Sequence, residues 1–308
     1  MSQSLDERHV LDVLERFPYW LHALRGASPG QVARYAASML GGARWFSWPY
    51  DGPPAALVAL QDAPWDSDKL GVKSARIYVA VPPGAHGGAA ELVARTLATL
   101  DGEGYRYLVT RLDANDLQVV QLLEQAGFIV VDAILSQYVR PAEAPAPAAP
   151  ADVAVRQVGA DDGDALGVLA ADAFTMSRFH SDPAIGVELG RAIYRDWGTN
   201  LAFGLNDVTL VAELDGAIAG FLSCKDMAGA RSAYGFGYGR IELVAVAATK
   251  RGRGVVAALT ARLFEDATAR AWEVLGIGTQ IANVRAIRAY QHVGFAPGDS
   301  IFTLRRRV

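Results

Sequence analysis

Arg251, Gly252, Arg253 and Gly254 stand between a buried-strand run and a helix. The run is Ile241, Leu243, Val244 and Val246, with one acid, Glu242, set inside it. The helix follows as Val255, Leu259 and Leu263 at helical spacing. A strand that turns at once into a helix presents several backbone N–H groups together, and the helix dipole adds partial positive charge. The glycines let the backbone approach a ligand, and the arginines add cationic charge. Such a combination binds phosphate. The same residues also read as a plain strand–helix turn, so the loop by itself leaves both readings open.

A second constellation follows. Thr279, Gln280 and Ile281 read as the end of another strand, and then comes Asn283-x-x-Ala286-x-x-x-Tyr290-x-x-x-Gly294-Phe295. Ala286, Ala289, Tyr290 and Val293 share a helical face, and Gly294 is a natural helix terminator. Tyr290 alone reads equally as a core aromatic. A third stretch, Ser177-Arg178-Phe179-His180-Ser181-Asp182-Pro183, precedes a helix containing Tyr194 and Trp197. Pro183 suits that helix's first turn and Asp182 its N-cap. Arg178 matches phosphate geometry, and His180 can titrate near neutral pH. No Gly-x-Ser-x-Gly elbow is present, and the single cysteine, Cys224, lies in a predicted hairpin. A covalent serine or cysteine mechanism is therefore unsupported.

Gly252-x-Gly254-x-x-Ala257, with Glu273 about twenty residues on, fits the Rossmann dinucleotide fingerprint and would imply NAD. A Rossmann domain does not need an antiparallel hairpin before its fingerprint. Yet Val208–Leu214, the Asp215-Gly216 turn and residues 217–223 read as one. The two motifs together resemble the GNAT acyltransferase superfamily. Its coenzyme A loop reads Gln/Arg-x-x-Gly-x-Gly/Ala, here Arg251-Gly252-Arg253-Gly254-Val255-Val256, with Val256 departing from the pattern and Ala248 where proline is common. The segment from Asn283 to Phe295 resembles its second signature, where a strand splays from its neighbour.

The resemblance implies that acetyl-CoA is held by Val244, Ala245, Val246, Arg251, Gly252, Arg253, Gly254, Val255, Val256, Asn283, Ala286 and Tyr290. The backbone of Ala245 and Val246 would hold pantetheine and the thioester oxygen, and Tyr290 would be the general acid for the thiolate. Glu242 is a candidate base, through water, or a surface acid. His180 is a second candidate base. Arg178, Phe179 and His180 would shape the acceptor site. With Tyr194-x-x-Trp197 downstream, the Arg178 segment resembles the nucleotide-sugar branch, typified by dTDP-fucosamine N-acetyltransferase. Trp65-Asp66-Ser67 resembles it too. The implied function is acetyl transfer from acetyl-CoA to a primary amine of a small polar acceptor, by direct attack in a ternary complex. The alternatives are another small amine or an antibiotic as acceptor, a non-catalytic acyl-CoA sensor, or the NAD-binding Rossmann oxidoreductase.

The chain has 308 residues, 51% hydrophobic and 20% charged, with a net charge of −4. This is the composition of a folded globular protein, and nothing in it favours nucleic acid. One cysteine makes neither an internal disulfide nor a cysteine metal site, which points to a reducing cytoplasm. His9, His22, His86, His180 and His292 show no metal spacing, so no metal is expected. The N-terminus lacks an apolar signal core, and no run is long enough to span a bilayer. Oligomeric state stays open.

Residues 1–45 read as helical, with Leu11, Leu14 and Phe17 on one stripe, and Trp20, Trp45 and Trp48 as core or interface aromatics. Strands are expected at 55–60, 75–81, 105–112 and 129–140, and helices at 88–100 and 116–126. This order echoes the C-terminal half. Aligning Gly127-Phe128 with Gly294-Phe295 sets Asp116 opposite Asn283 and Leu123 opposite Tyr290. The counterpart of the Arg-Gly-Arg-Gly loop, residues 82–88, has no arginine. The expected fold is α/β, with two GNAT-like domains of mixed sheet. Residues 1–140 form a degenerate copy without the cofactor loop, 141–151 a semi-rigid Pro/Ala linker, and 152–308 the catalytic domain.

Overall fold

The structure, a computed structural model, describes residues 5–19 and 26–307. Trp20 and His22 lie outside the described residues. The chain forms two compact units, Met1–Ala133 with Asp299–Val308, and Ile134–Gly298. This differs from a division at 141–151. The chain enters the second unit midway along one strand, leaves it within the last strand, and keeps residues 141–151 inside that unit.

The first unit begins with α1 (Glu7–Arg16) and α2 (Pro29–Met39). Ser28 and Gln31 close a capping box at the start of α2, with Pro29 in its first turn. β1 (Arg44–Trp48) follows, so Arg44 and Trp45, at the end of the stretch read as helical, lie on a strand. The order continues as β2 (Ala56–Asp62), α3 (Pro64–Leu70), β3 (Ser74–Ala80), α4 (His86–Gly102), β4 (Tyr107–Asp113), α5 (Leu117–Gln125) and β5 (Ile129–Val139). Residues 63–71 thus hold a short helix. Its Asp66 is buried and pairs with Arg76 at 3.4 Å, which gives that aspartate a structural partner.

The second unit contains β6 (Ala154–Gln157), α6 (Gly163–Ala173), α7 (Arg178–Ser181), α8 (Val187–Leu201), β7 (Val208–Leu214), β8 (Ala217–Asp226), α9 (Gly229–Tyr234), β9 (Gly237–Val246), α10 (Val255–Ala269), β10 (Trp272–Gln280) and α11 (Val284–His292). The last strand, β11 (Ala296–Arg307), returns to the first unit after residue 298.

Strand order in the first unit is β1-β2-β3-β4-β11, and in the second β5-β10-β9-β8-β7-β6. The second sheet is mixed. β6 to β9 pair antiparallel, β9 and β10 pair parallel, and β10 and β5 pair antiparallel. That pattern is incompatible with a Rossmann sheet. Asp215 and Gly216 both adopt positive φ, as the Asp-Gly hairpin turn requires. Glu273, the acid expected of a dinucleotide fingerprint, instead accepts the Gly237 backbone N–H at 2.5 Å. The terminal strand of each half of the sequence therefore completes the other half's sheet. Residues 134–139 of β5 pair with β10, and residues 301–307 of β11 pair with β4.

Each unit buries its own core. In the second, Val255, Leu259 and Leu263 of α10 pack with Leu275 and Ile277 of β10 and with Tyr290. Each fully buried aliphatic side chain contributes about 2 kcal/mol.

Candidate active site

β8 and β9 stay in register until Cys224 meets Ile241, and then Ser223 meets Leu243. Glu242 is therefore the extra residue of a β-bulge, a device that bends a strand and re-aims its side chains. The parallel ladder between β9 and β10 ends at the same level, with Ile241 against Ile277. Beyond it β9 continues to Val246 and β10 to Gln280 without each other. This is the splay that the second signature led us to expect, and the bulge at Glu242 accounts for it.

The parity of the ladder decides which backbone groups face the gap. Ala247 donates to the Ala219 carbonyl at 2.8 Å. Alternation along the strand then aims Leu243 and Ala245 at β8, and Val244 and Val246 toward the side β10 has left. The assignment of the gap to Ala245 and Val246 is corrected accordingly: Val246 faces it, Val244 joins it, and Ala245 is committed to β8. Composition could not reveal this, because a bulge shifts the parity. The Glu242 carboxylate is held by Arg240 at 3.1 Å.

β9 leads through residues 247–254 into α10. Gly252 and Gly254 have φ of +76° and +73°, which side chains rarely adopt. Gly254 is the N-cap and supplies no side-chain acceptor, so the first-turn N–H groups of α10 remain open to a ligand. A Cβ on Gly254 would also lie 2.4 Å from Pro150, a residue of the Pro/Ala stretch. Arg253 pairs with Asp152 at 2.9 Å. Arg251 is exposed and has no ion-pair partner among the described residues. Val255 is buried, and Val256 packs against the core.

α11 starts at Asn283, whose side chain accepts the Ala286 N–H at 3.2 Å and donates to Thr279 at 3.3 Å. It ends at Gly294, φ +98°, where the Phe295 N–H reaches back to the Tyr290 carbonyl at 3.0 Å. These caps fix Tyr290, which is 9% exposed and packs with Phe295. Burial raises its hydroxyl pKa above that of a free phenol. Ala286 packs against the same core.

Arg178, Phe179 and His180 lie not in a loop but in the one-turn helix α7, capped by Ser177. Gly190 of α8 permits the approach, since a Cβ there would meet the Phe179 carbonyl at 2.6 Å. Asp182 does not cap α8, which begins after Gly186. It ends α7 and accepts the Ala184 N–H at 2.9 Å in a local turn. Arg178 is 8% exposed, with its guanidinium over the Phe179 ring. His180 has Ser177 Oγ 3.1 Å from Nδ1, and its ring stacks on Tyr194, which also stacks on Phe174 and Trp197. Burial, then the nearby Arg191 charge, lowers the His180 pKa below the usual imidazole value. A groove lined by Asp164, Val168, Asp172, Ile218, Ala247 and Ala248 opens beside the end of β9. Of its two carboxylates, that of Asp172 is paired with Arg191 at 2.9 Å.

The model of the acetyltransferase (GNAT) family matches residues 171–295, which hold the bulge, the loop and α11. The match lies wholly within the C-terminal half. The spore coat polysaccharide biosynthesis protein SpsD of Bacillus subtilis (strain 168) is 30% identical over 146 residues, 46% of this chain and 46% of its own length. The match thus spans about half of that relative. A GCN5-related N-acetyltransferase from Sphaerobacter thermophilus superposes with a TM-score of 0.61 at 19% identity, over 92% of this chain and 87% of its own. A tandem GNAT protein from the clavulanic acid biosynthesis pathway superposes with a TM-score of 0.55 at 16% identity, over 97% of this chain and 94% of its own. These likenesses show the fold, and the tandem GNAT protein spans both halves of the chain.

The N-terminal unit closes its corresponding helix in the same way, without an Arg-Gly-Arg-Gly loop. Phe128 closes α5 on the Leu123 carbonyl, as Phe295 closes α11 on Tyr290. The first turn of α4, the counterpart of α10 in the second unit, is covered by Trp48. A Cβ on Gly88 would lie 2.0 Å from the indole. No helix among the described residues is long and apolar enough to cross a membrane.

Proposed function

We propose that the GNAT domain transfers an acetyl group from acetyl-CoA to the primary amine of a small polar acceptor, an amino sugar linked to a nucleotide. The observation that supports this most is the parting of β9 and β10 beyond Ile241 and Ile277, directly before the uncapped N-terminus of α10. Acetyl-CoA supplies an activated acyl thioester. The α10 N-terminus and Arg251 suit its pyrophosphate. The N–H groups of Val244 and Val246 suit pantetheine and the thioester oxygen. The acceptor ammonium loses its proton to Glu242 through water, or to His180, whose imidazole is neutral at pH 7. The free amine attacks the thioester carbonyl, the carbon–sulfur bond breaks, the departing thiolate takes the Tyr290 proton, and the second proton of the amine returns to the tyrosinate through water. Burial keeps the Tyr290 proton in place at neutral pH.

The sugar acceptor draws support from the relative named for polysaccharide biosynthesis. The phosphate draws support from Arg178 beside an aromatic stack fit for a sugar or base. The test is a panel of amines, including dTDP-4-amino-4,6-dideoxyhexoses, read by free-thiol release. Preference for a nucleotide-linked amine, with a raised acceptor KM in Arg178→Ala, is expected. Preference for an unphosphorylated amine or an antibiotic overturns the acceptor. Binding of acetyl-CoA with no turnover of any amine leaves a sensor.

A further inference from the structure

Gln137 is fully buried, 0% exposed, on β5, and both polar atoms of its carboxamide lack a partner among the described residues. It stands directly across from Ile277, in the row where Ile277 also makes the last pair with Ile241. The unpaired carboxamide therefore lies at the level where the sheet opens. Cross-strand partners share a face. Ile277 and Val139, on either side of Gln137 on that face, belong to the apolar cluster that includes Tyr290. A carboxamide buried with neither its donor nor its acceptor used destabilises a fold. Neighbouring Val139 shows that an apolar residue suits this face of the strand. The family match begins at residue 171, so Gln137 lies outside it.

We propose that Gln137 is a cofactor-binding residue contributed by the N-terminal half of the sequence, and that its carboxamide pairs with a secondary amide of the pantetheine arm. A secondary amide offers one N–H and one C=O. The glutamine offers the complementary C=O and NH₂, and one ligand group satisfies both. This rests on the reading of the opened sheet as an acyl-CoA site. It gives β5 a part in binding as well as in the sheet.

The test is Gln137→Met, which keeps length and apolar bulk but removes donor and acceptor. Calorimetric titration with acetyl-CoA and with free coenzyme A should show Kd raised on the order of tenfold for both, because the arm is common to both. The ligand-free Tm should hold or rise, since an unsatisfied buried group has been removed, and the acceptor KM should not move. A fallen Tm with unchanged Kd would make Gln137 structural and overturn the proposal. A loss confined to acetyl-CoA would place the contact at the thioester and overturn the amide assignment. Gln137→Leu, measured in parallel, gives the same readouts if methionine is not tolerated. Wild-type protein that binds neither ligand overturns the acyl-CoA reading itself, and this assignment with it.

Discussion

Asp116 and Asn283 cap their helices in the same backbone conformation, φ −82°, ψ 57° and φ −85°, ψ 61°, and each accepts the N–H three residues on. The two halves thus keep one capping device. They differ in charge. Asp116 is 2% exposed, and its Oδ2 has no partner among the described residues. Burial pushes its pKa up to about 6, against the weaker pull of the Val119 N–H.

The sign of the pH effect follows. The folded carboxyl titrates near 6 and the unfolded one near ~3.9, so the folded state holds the proton more tightly. Stability from this group is therefore full below about pH 4, falls as pH rises to about 6, and is level above. Asp116→Asn, which copies the cap of the other half, should remove the fall and stabilise the protein at pH 8 by about 2 kcal/mol. Urea melts at pH 4.5 and pH 8 check this. A pH 8 midpoint left where it was, or lowered, contradicts the burial argument.

Tyr290→Phe removes one hydroxyl and little volume. As a general acid lost, it should cut kcat on the order of 10²-fold with a modest change in KM. Because the Tyr290 pKa is raised, its own titration should not appear in the pH profile through the neutral range. Steady-state kinetics of the two proteins decide it. Wild-type turnover in the phenylalanine variant would make Tyr290 a core aromatic only.

Arg251 and Arg253 should behave differently despite lying two residues apart. Arg251 is uncommitted, whereas Arg253 is paired to Asp152. Arg251→Ala should weaken acetyl-CoA binding about tenfold, the value of one charge-assisted contact. Arg253→Ala should weaken it less. Titration calorimetry at two salt concentrations reads both, and equal losses contradict the distinction. Gly254 is a poorer probe, since its φ and the adjacent Pro150 make any side chain there a folding problem.

A fragment of residues 141–308 should not fold as the second unit does. It lacks residues 134–139, which pair with β10 from Gln280 to Leu275, and leaves that edge open. Its own last strand would be without β4. Circular dichroism and size exclusion should show an aggregated or unfolded fragment, restored by co-expression with residues 1–140. A monomeric, cooperatively melting fragment would show that the exchanged strands are dispensable.

Much of this was legible in the sequence because it is local. The Asp215-Gly216 turn, the glycine loop before Val255, and the Asn283 and Gly294 caps each depend on residues within one or two turns of chain. Backbone torsion and short hydrogen bonds decide them, and residue type reports both. The internal repeat was legible for the same reason, since Gly127 and Gly294 mark the same helix end. What the sequence did not show is long-range. The Pro/Ala stretch has the composition of a linker, yet Pro150 packs on Gly254, because packing is set by what lies across space. The bulge at Glu242 passed as an acid within a strand, because the extra residue exists only relative to β8. Its shift of parity decided that Val244, not Ala245, faces the gap. Gln137 falls within a stretch, 129–140, that the sequence marks only as a strand. Only the pairing of β5 with β10, two strands about 140 residues apart in the sequence, carried it to the row where the sheet opens.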